Sequence, residues 1–201
     1  MISLLMDTSN QYMAVAIYKD GQCLEKIVEY GSLRQSENAI PALEKLLKNN
    51  KLTLFDADEM IITRGPGSYT GVRVAMTIAK TLNVVHPISL KAISSLHAYA
   101  GLNKCVSVID ARSKKVFVCA YQDGDPLEEE KMIEIVDFET YMKDYQGFEI
   151  VGQSEVVGIE EKKVDLIKNM YDIAQNEKEV DNVDLLVPRY IKDIEVKKIC
   201  K

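Results

Sequence analysis

The feature that most constrains this chain is an internal repeat. MDTSNQYMAVAIYKDGQCL, from Met6, and IDARSKKVFVCAYQDGDPL, from Ile109, align without a gap. Asp7 then falls on Asp110, Val15 on Val118, Tyr18 on Tyr121, Asp20-Gly21 on Asp123-Gly124 and Leu24 on Leu127. Each copy reads as an Asp closing a strand, a tight turn, an alternating strand, an Asp-Gly hairpin turn and a third strand. Helical, strand and helical patterns follow in both halves, so the chain predicts two βββαβα units. In 201 residues these make an α/β protein of two like-built lobes across a cleft. The expected division is residues 1–85 and a shorter second lobe, 86–201.

Periodicity and turn residues predict the elements of each half. The first half predicts strands at Ile2–Met6, Tyr12–Tyr18 and Gln22–Tyr30, then a helix capped by Ser36 and running to Asn50. A strand at Glu59–Thr63 leads through a glycine loop into a helix ending near Val84. The second half predicts a short strand at Pro87–Leu90, a helix at Ser94–Gly101, and strands at Lys104–Ile109, Lys115–Gln122 and Glu130–Val136. Helix Phe138–Tyr145, strand Phe148–Gly152 and a helix near Val164–Gln175 follow, and Leu185–Lys198 shows no period.

The glycine loop raises the functional question. In TRGPGSYTGVRVAMTIAK, from Thr63, no Lys-Ser/Thr follows the last glycine, so this is not a Walker loop. Nor is it GxGxxG, because the third glycine comes one residue late and Pro66 lacks a donor amide. Small hydroxyls and amides at Asp7, Thr8 and Ser9, with Gly65, Gly67 and Ser68, still form a candidate phosphate site. The helix behind the loop carries a smooth stripe, Gly71, Ala75 and Ala79, beside Val72, Val74, Met76, Ile78 and Leu82. A helix apolar on most faces needs cover beyond its own sheet, from a neighbouring helix or from a partner subunit. The expected docking face is Gly71, Val72, Ala75, Met76 and Ala79, with Ala39, Leu43 and Leu46 of the preceding helix.

Other classes are disfavoured. No apolar run approaches the roughly 18 residues of a membrane span. MISLLMDTSN lacks a basic n-region and reads as a strand rather than a signal peptide. Cys23, Cys105, Cys119 and Cys200 form no CxxC pair and read as reduced thiols of a cytoplasmic protein. His86 and His97 lack ligand spacing, so no metal site is expected, and no Ser-His-Asp arrangement can be read. A net charge of −6 opposes strong direct binding of nucleic acid. Arg64, Arg73, Arg112, Lys114 and Lys115 gather at motif ends, where they suit phosphates or a partner's carboxylates. The acidic run Asp123–Asp137 reads as a solvated hairpin edge.

MDTSNQYMAVAIYKDG, RGPGSYTGVRVAMTIAKTL, AISSLHAYA, VIDARSKKVFVCAY and VPRYIKD, in this order along nearly the whole chain, resemble the bacterial TsaB family. The resemblance implies the two-lobed actin-like ATPase (ribonuclease H-like) fold and a role in making threonylcarbamoyladenosine beside the tRNA anticodon. It implies a non-catalytic relative of TsaD that pairs with it through Ser36–Asn50 and Gly71–Val84, with a TsaE-like ATPase joining. The apolar face, costly to leave in water, predicts a homodimer when that partner is absent. The negative charge leaves tRNA to the partner, and the second lobe shows no clear glycine motif for an adenosine pocket, so no tightly held cofactor is expected. ATP or ADP and a divalent metal then belong to the assembled complex. The catalytic relative's His-x-x-x-His falls on Ser95 and Tyr99, neither of which replaces an imidazole. Gln35 stands where many members carry a histidine. The alternative is a stand-alone enzyme of this fold, a small-molecule kinase or a glycoprotease-like metallopeptidase.

Overall fold

The computed structural model describes residues 1–31 and 34–191. Cys200, the last residues of VPRYIKD and the end of the aperiodic segment lie outside them. The first half runs β1 (Ile2–Asp7), β2 (Tyr12–Lys19), β3 (Gln22–Tyr30), α1 (Gln35–Asn49), β4 (Glu59–Thr63), α2 (Tyr69–Val85), β5 (Ser89–Ile93) and α3 (Ser95–Ala100). The second runs β6 (Cys105–Arg112), β7 (Lys115–Gln122), β8 (Asp125–Pro126), β9 (Lys131–Glu134), α4 (Phe138–Tyr141), β10 (Glu149–Gly152) and α5 (Leu166–Ala174).

The repeat is visible in the pairing. In the first sheet, order β3-β2-β1-β4-β5, β1 pairs antiparallel with β2 and parallel with β4. In the second, β6 pairs antiparallel with β7 and parallel with β10, while β8 and β9 both pair with β7. Both Asp-Gly turns adopt two successive left-handed conformations, with φ 49° and 84° at Asp20-Gly21 and 54° and 87° at Asp123-Gly124. That is the two-residue hairpin geometry these residue types favour.

The copies differ at the turn facing the cleft. Asp7 pairs with Ala14, and the repeat would set Asp110 against Phe117. Instead Asp110 pairs with Val116, and the ladder is irregular between Asp110 and Arg112. The second turn is tighter, with Arg112 opposite Lys115 and φ positive at Arg112, Ser113 and Lys114.

The sheets form layers rather than separate bodies. One core lies between them, built from Leu5, Ala16 and Ile61 of the first sheet, Ile109 and Tyr121 of the second, and residues of α3 and α5. A second core packs α1 and α2 on the outer face of the first sheet, and a third packs α4 on the second sheet. The expected division at residue 85 falls too early, because β5 pairs with β4 in the first sheet. Three other expectations change. α1 begins at Gln35 after Arg34 with no side-chain cap, so Ser36 lies inside the helix. The helix expected over Phe138–Tyr145 is one α-turn followed by a 3-10 turn, Met142–Tyr145. The Glu130 side chain is largely covered rather than solvated, accepting from the Tyr121 hydroxyl at 3.0 Å and pairing with Arg189 at 3.0 Å.

The expected docking face is also corrected. Ala39, Leu43, Leu46, Gly71, Val72, Ala75, Met76 and Ala79 are all buried inside the chain. Gly71 and Ala75 meet the Thr8 turn, Val72 lies beside Gly65, and Ala39, Leu43, Leu46, Met76 and Ala79 pack in the core of sheet, α1 and α2. The extra cover comes from the segment after α5. Val180, Val183 and Leu186 pack against this core, and Lys80 Nζ donates to the Asp184 carbonyl at 2.9 Å. The helix is apolar on several sides because its own chain wraps it.

Gly71 shows how tight this packing is. A Cβ there would lie 2.0 Å from the Thr8 carbonyl oxygen. Gly71→Ala is expected to destabilise the protein by about 3 kcal/mol, read as a lower denaturation midpoint with an unchanged slope in urea.

Candidate functional site

The turn between β1 and β2 meets the glycine loop at the centre of the molecule. Thr8 donates its hydroxyl to the Gly71 carbonyl at 2.6 Å and accepts the Ala75 N–H at 3.1 Å. The Ser9 hydroxyl oxygen accepts from Asn10 Nδ2 at 2.8 Å and from Ser95 Oγ at 2.9 Å. The Ser9 carbonyl accepts the Ser68 N–H at 2.7 Å. Ser68 caps α2, its hydroxyl accepting the Gly71 N–H at 3.2 Å.

The expected phosphate residues are therefore brought together, but not as a cradle. Asp7, Thr8 and Ser9 are buried, and the hydroxyls of Thr8 and Ser9 are committed to their own chain. A Cβ on Gly67 would stand 2.3 Å from the Ser9 carbonyl, and one on Gly65 would stand 3.1 Å from the Arg189 carbonyl. The glycines admit other stretches of this backbone, and a phosphate at Asp7-Thr8-Ser9 does not fit. Ser95 thus serves as a donor to Ser9, and Tyr99 is buried. His97 stacks on Tyr121 at 4.8 Å, with burial holding its pKa down, and His86 packs edge-on against Phe55. Among the described residues no group of three or more His, Cys, Asp or Glu is placed to hold a metal.

A cleft of about 650 Å³ opens above this knot between the lobes. Its walls carry Asn10 and Gln11, Gln35, Ser68 to Gly71, Asp110 to Arg112, Gln153 and Glu161. Gln35 Nε2 donates to the Asn10 carbonyl at 2.7 Å and the Tyr12 carbonyl at 3.1 Å, tying α1 to the turn. Opposite, Gln153 Oε1 accepts the Asp110 N–H at 2.8 Å, and Asp110 holds Arg112 at 3.0 Å. Sequence reasoning did not assign the amides Gln11 and Gln153 to a site, because lone amides carry no spacing signal. It also missed the closing segment. Arg189 donates its N–H to the Arg64 carbonyl at 2.7 Å and pairs with Glu130, so one residue ties the first lobe to the second. Beside it, Arg73 lies 3.4 Å over the Tyr69 ring and 5.3 Å from Tyr190. VPRYIKD was the available signal.

Asp7 carries the least comfortable charge. Burial pushes its carboxyl up, against the opposing hydrogen bonds of Ser9 and Thr63, and Oδ2 has no partner. A raised folded pKa favours folding while both states are protonated, and this contribution is lost as pH rises through the folded value. Asp7→Asn is expected to stabilise the protein at pH 7 by about 1–3 kcal/mol. It should also remove the decline in stability that begins near pH 4, as measured by denaturation from pH 4 to 8.

Comparison with known proteins agrees with this architecture. A family model described as TsaD, tRNA N6-adenosine threonylcarbamoyltransferase, matches residues 29–200. The tRNA threonylcarbamoyladenosine biosynthesis protein TsaB of Bacillus subtilis is 32% identical over 127 residues, covering 61% of this chain and 56% of that protein. The Escherichia coli protein of the same description is 28% identical over 126 residues, covering 59% and 54%. The chain thus spans about half the length of the curated relatives it matches. A solved structure, YeaZ from Pseudomonas aeruginosa, superposes with a TM-score of 0.74 over 94% of this chain and 99% of that one. At 20% identity that likeness bears on the fold alone, the same two-sheet α/β arrangement. By the match over residues 29–200, the chain belongs to the TsaD family, and within it the chain is similar, over about three fifths of its length, to proteins described as TsaB.

Proposed function

We propose that this chain is a non-catalytic subunit of the machinery that makes threonylcarbamoyladenosine on tRNA, acting by binding and stabilising a TsaD-type catalytic subunit. One observation carries the non-catalytic part. The turn that faces reactants in a two-lobed fold is sealed, with Thr8 and Ser9 bonded to Gly71, Ala75, Asn10 and Ser95. Where imidazoles would be needed, Ser95 and Tyr99 point to structural roles. On this reading a nucleotide and a divalent metal are held only in the assembled complex, which a TsaE-like ATPase joins in the cytoplasm. The net charge of −6 leaves the grip on tRNA to the partner. Among the described residues no helix is long and apolar enough to cross a membrane.

The pairing surface is the outer side of α1 and α2, since their inner stripe is occupied. Ile40 on α1 is 57% exposed, and Thr77 and Thr81 of α2 are exposed as well. The same surface would serve a homodimer when the partner is absent. Ala75→Glu would bury a carboxylate and unfold the lobe, so it cannot report on pairing. Ile40→Asp can. It is expected to leave the circular dichroism and melting temperature of the isolated chain unchanged, while weakening binding to the TsaD-type protein of the same organism by at least about tenfold. Calorimetry measures both. Unchanged affinity would place the pairing surface elsewhere. Failure of the wild-type chain to bind that protein at micromolar concentration would sink the functional reading itself.

A further inference from the structure

The basic residues gathered at motif ends meet the surface at one mouth of the cleft. Arg112 and Tyr69 both line that cleft, and Phe117 lines both it and a small hollow beside it, walled by Tyr69 and Tyr190. The hollow holds about 60 Å³. That is far below the roughly 300 Å³ of the smallest ligand pockets, so a ligand must lie over this rim rather than inside it. Tyr69 is 68% exposed and Tyr190 53%, and their rings lie 27° from parallel with centroids 6.3 Å apart. The Arg73 guanidinium lies 3.4 Å over the Tyr69 ring and 5.3 Å from Tyr190, so these flat groups form a short stack at the surface. The stack is held in place. Arg189, next to Tyr190, is fixed by its backbone on Arg64 and its side chain on Glu130, and Tyr69 opens α2.

The charge here runs against that of the chain as a whole, which is −6. Arg73 and the exposed Lys114 pair with no carboxylate among the described residues, and the Arg112 side chain, held by Asp110, is still 86% exposed. Flat aromatic faces beside unpaired cations suit one class of ligand best. A partner protein's carboxylate approaches a guanidinium edge-on, in its plane, and Arg73 has already given Nη1 to the Tyr69 carbonyl at 3.1 Å. A nucleic-acid duplex offers phosphates, but its bases cover one another. An unpaired nucleotide uses both features, its base extending the stack and its phosphate meeting a cation.

We propose that this rim holds an unpaired stretch of RNA, with a base stacked on Tyr69 and Tyr190 and the flanking phosphates near Arg73 and the turn that carries Arg112 and Lys114. That the strand is RNA rests on the function proposed above, whereas the stacking rests on the rim itself. Two free cations on an acidic chain give an auxiliary contact, and the main grip stays with the partner. The full chain, without a partner protein, would be titrated with oligouridylate of about ten nucleotides, following the tyrosine-ring NMR signals. An RNA duplex of the same length and an oligoglutamate peptide serve in parallel. Oligouridylate is expected to bind with a Kd on the order of 100 µM, and the duplex and the peptide at least about tenfold more weakly. Raising the salt from about 50 to about 200 mM is expected to weaken it about sevenfold, the slope for two phosphate contacts. Tyr69→Ala is expected to weaken it at least about fivefold, and Tyr69→Phe, which keeps the ring, to stay within about twofold. Circular dichroism checks that Tyr69→Ala folds, and if it does not, Tyr190→Ala decides by the same criterion. The proposal is overturned if the duplex or the peptide binds as tightly as oligouridylate, if Tyr69→Ala binds unchanged, or if no strand binds up to about 2 mM. Any of these strikes the rim and leaves the pairing reading, which Ile40→Asp and the TsaD-type protein test separately.

Discussion

The hydroxyl of Thr8 is the contact on which the rest of the molecule depends. It reaches Gly71 O and Ala75 N, the two groups that an unperturbed helix would join directly across one turn. A side chain from the first strand-turn is thereby docked directly on the backbone of α2's first turns. The docking demands that the backbones nearly touch, and this is why residue 71 has no side chain. It also sets the height of α2 over the sheet. Once α2 is placed, α1 must pack beside it through Leu43 and Leu46, and the segment after α5 must close over the remainder.

The same contact decides what the molecule can do. A turn that has used its hydroxyls on a helix has none left for a phosphate, so the glycine loop serves assembly of the lobe. The smooth stripe of α2 is spent in the same way, and only the outer sides of the two helices are free to meet another protein. The cleft keeps its volume and its amides, but its floor is sealed. Arg189 then ties the lobes together, with its backbone on Arg64 and its side chain on Glu130. This is an unusual load for one residue near the end of the described chain, and it restrains relative movement of the two sheets.

Much of the fold was legible. Strands such as Gln22–Tyr30, Glu59–Thr63 and Lys115–Gln122 are bounded by turn residues with firm conformational preferences, and the structure places them at those limits. The Asp-Gly pairs adopt two left-handed residues in succession, as their chemistry favours. The repeat revealed the topology, but not the one-residue change of pairing at Asp110, because a tighter turn at Ser113-Lys114 leaves no mark on the count of residues. The site was less legible. Asp7, Thr8, Ser9, Gly65, Gly67 and Ser68 lie at one turn and one loop that the structure brings together, and their use depends on which group each hydroxyl meets. Glu130 looked like one more charge in an acidic run. Its burial depends on Tyr121 and Arg189, the latter far away in sequence.

By itself, the sequence determined what is local or periodic: two βββαβα units, the limits of their strands, and a helix too apolar to stand uncovered. It also carried enough ordered motifs to show the family. Tertiary structure decided which surfaces remain. A small-residue stripe and a hydroxyl-rich turn have the same composition whether they face a ligand, a partner or each other. Which of these occurs depends on distances between segments more than sixty residues apart, and no spacing along the chain encodes them. Here the turn and the stripe face each other.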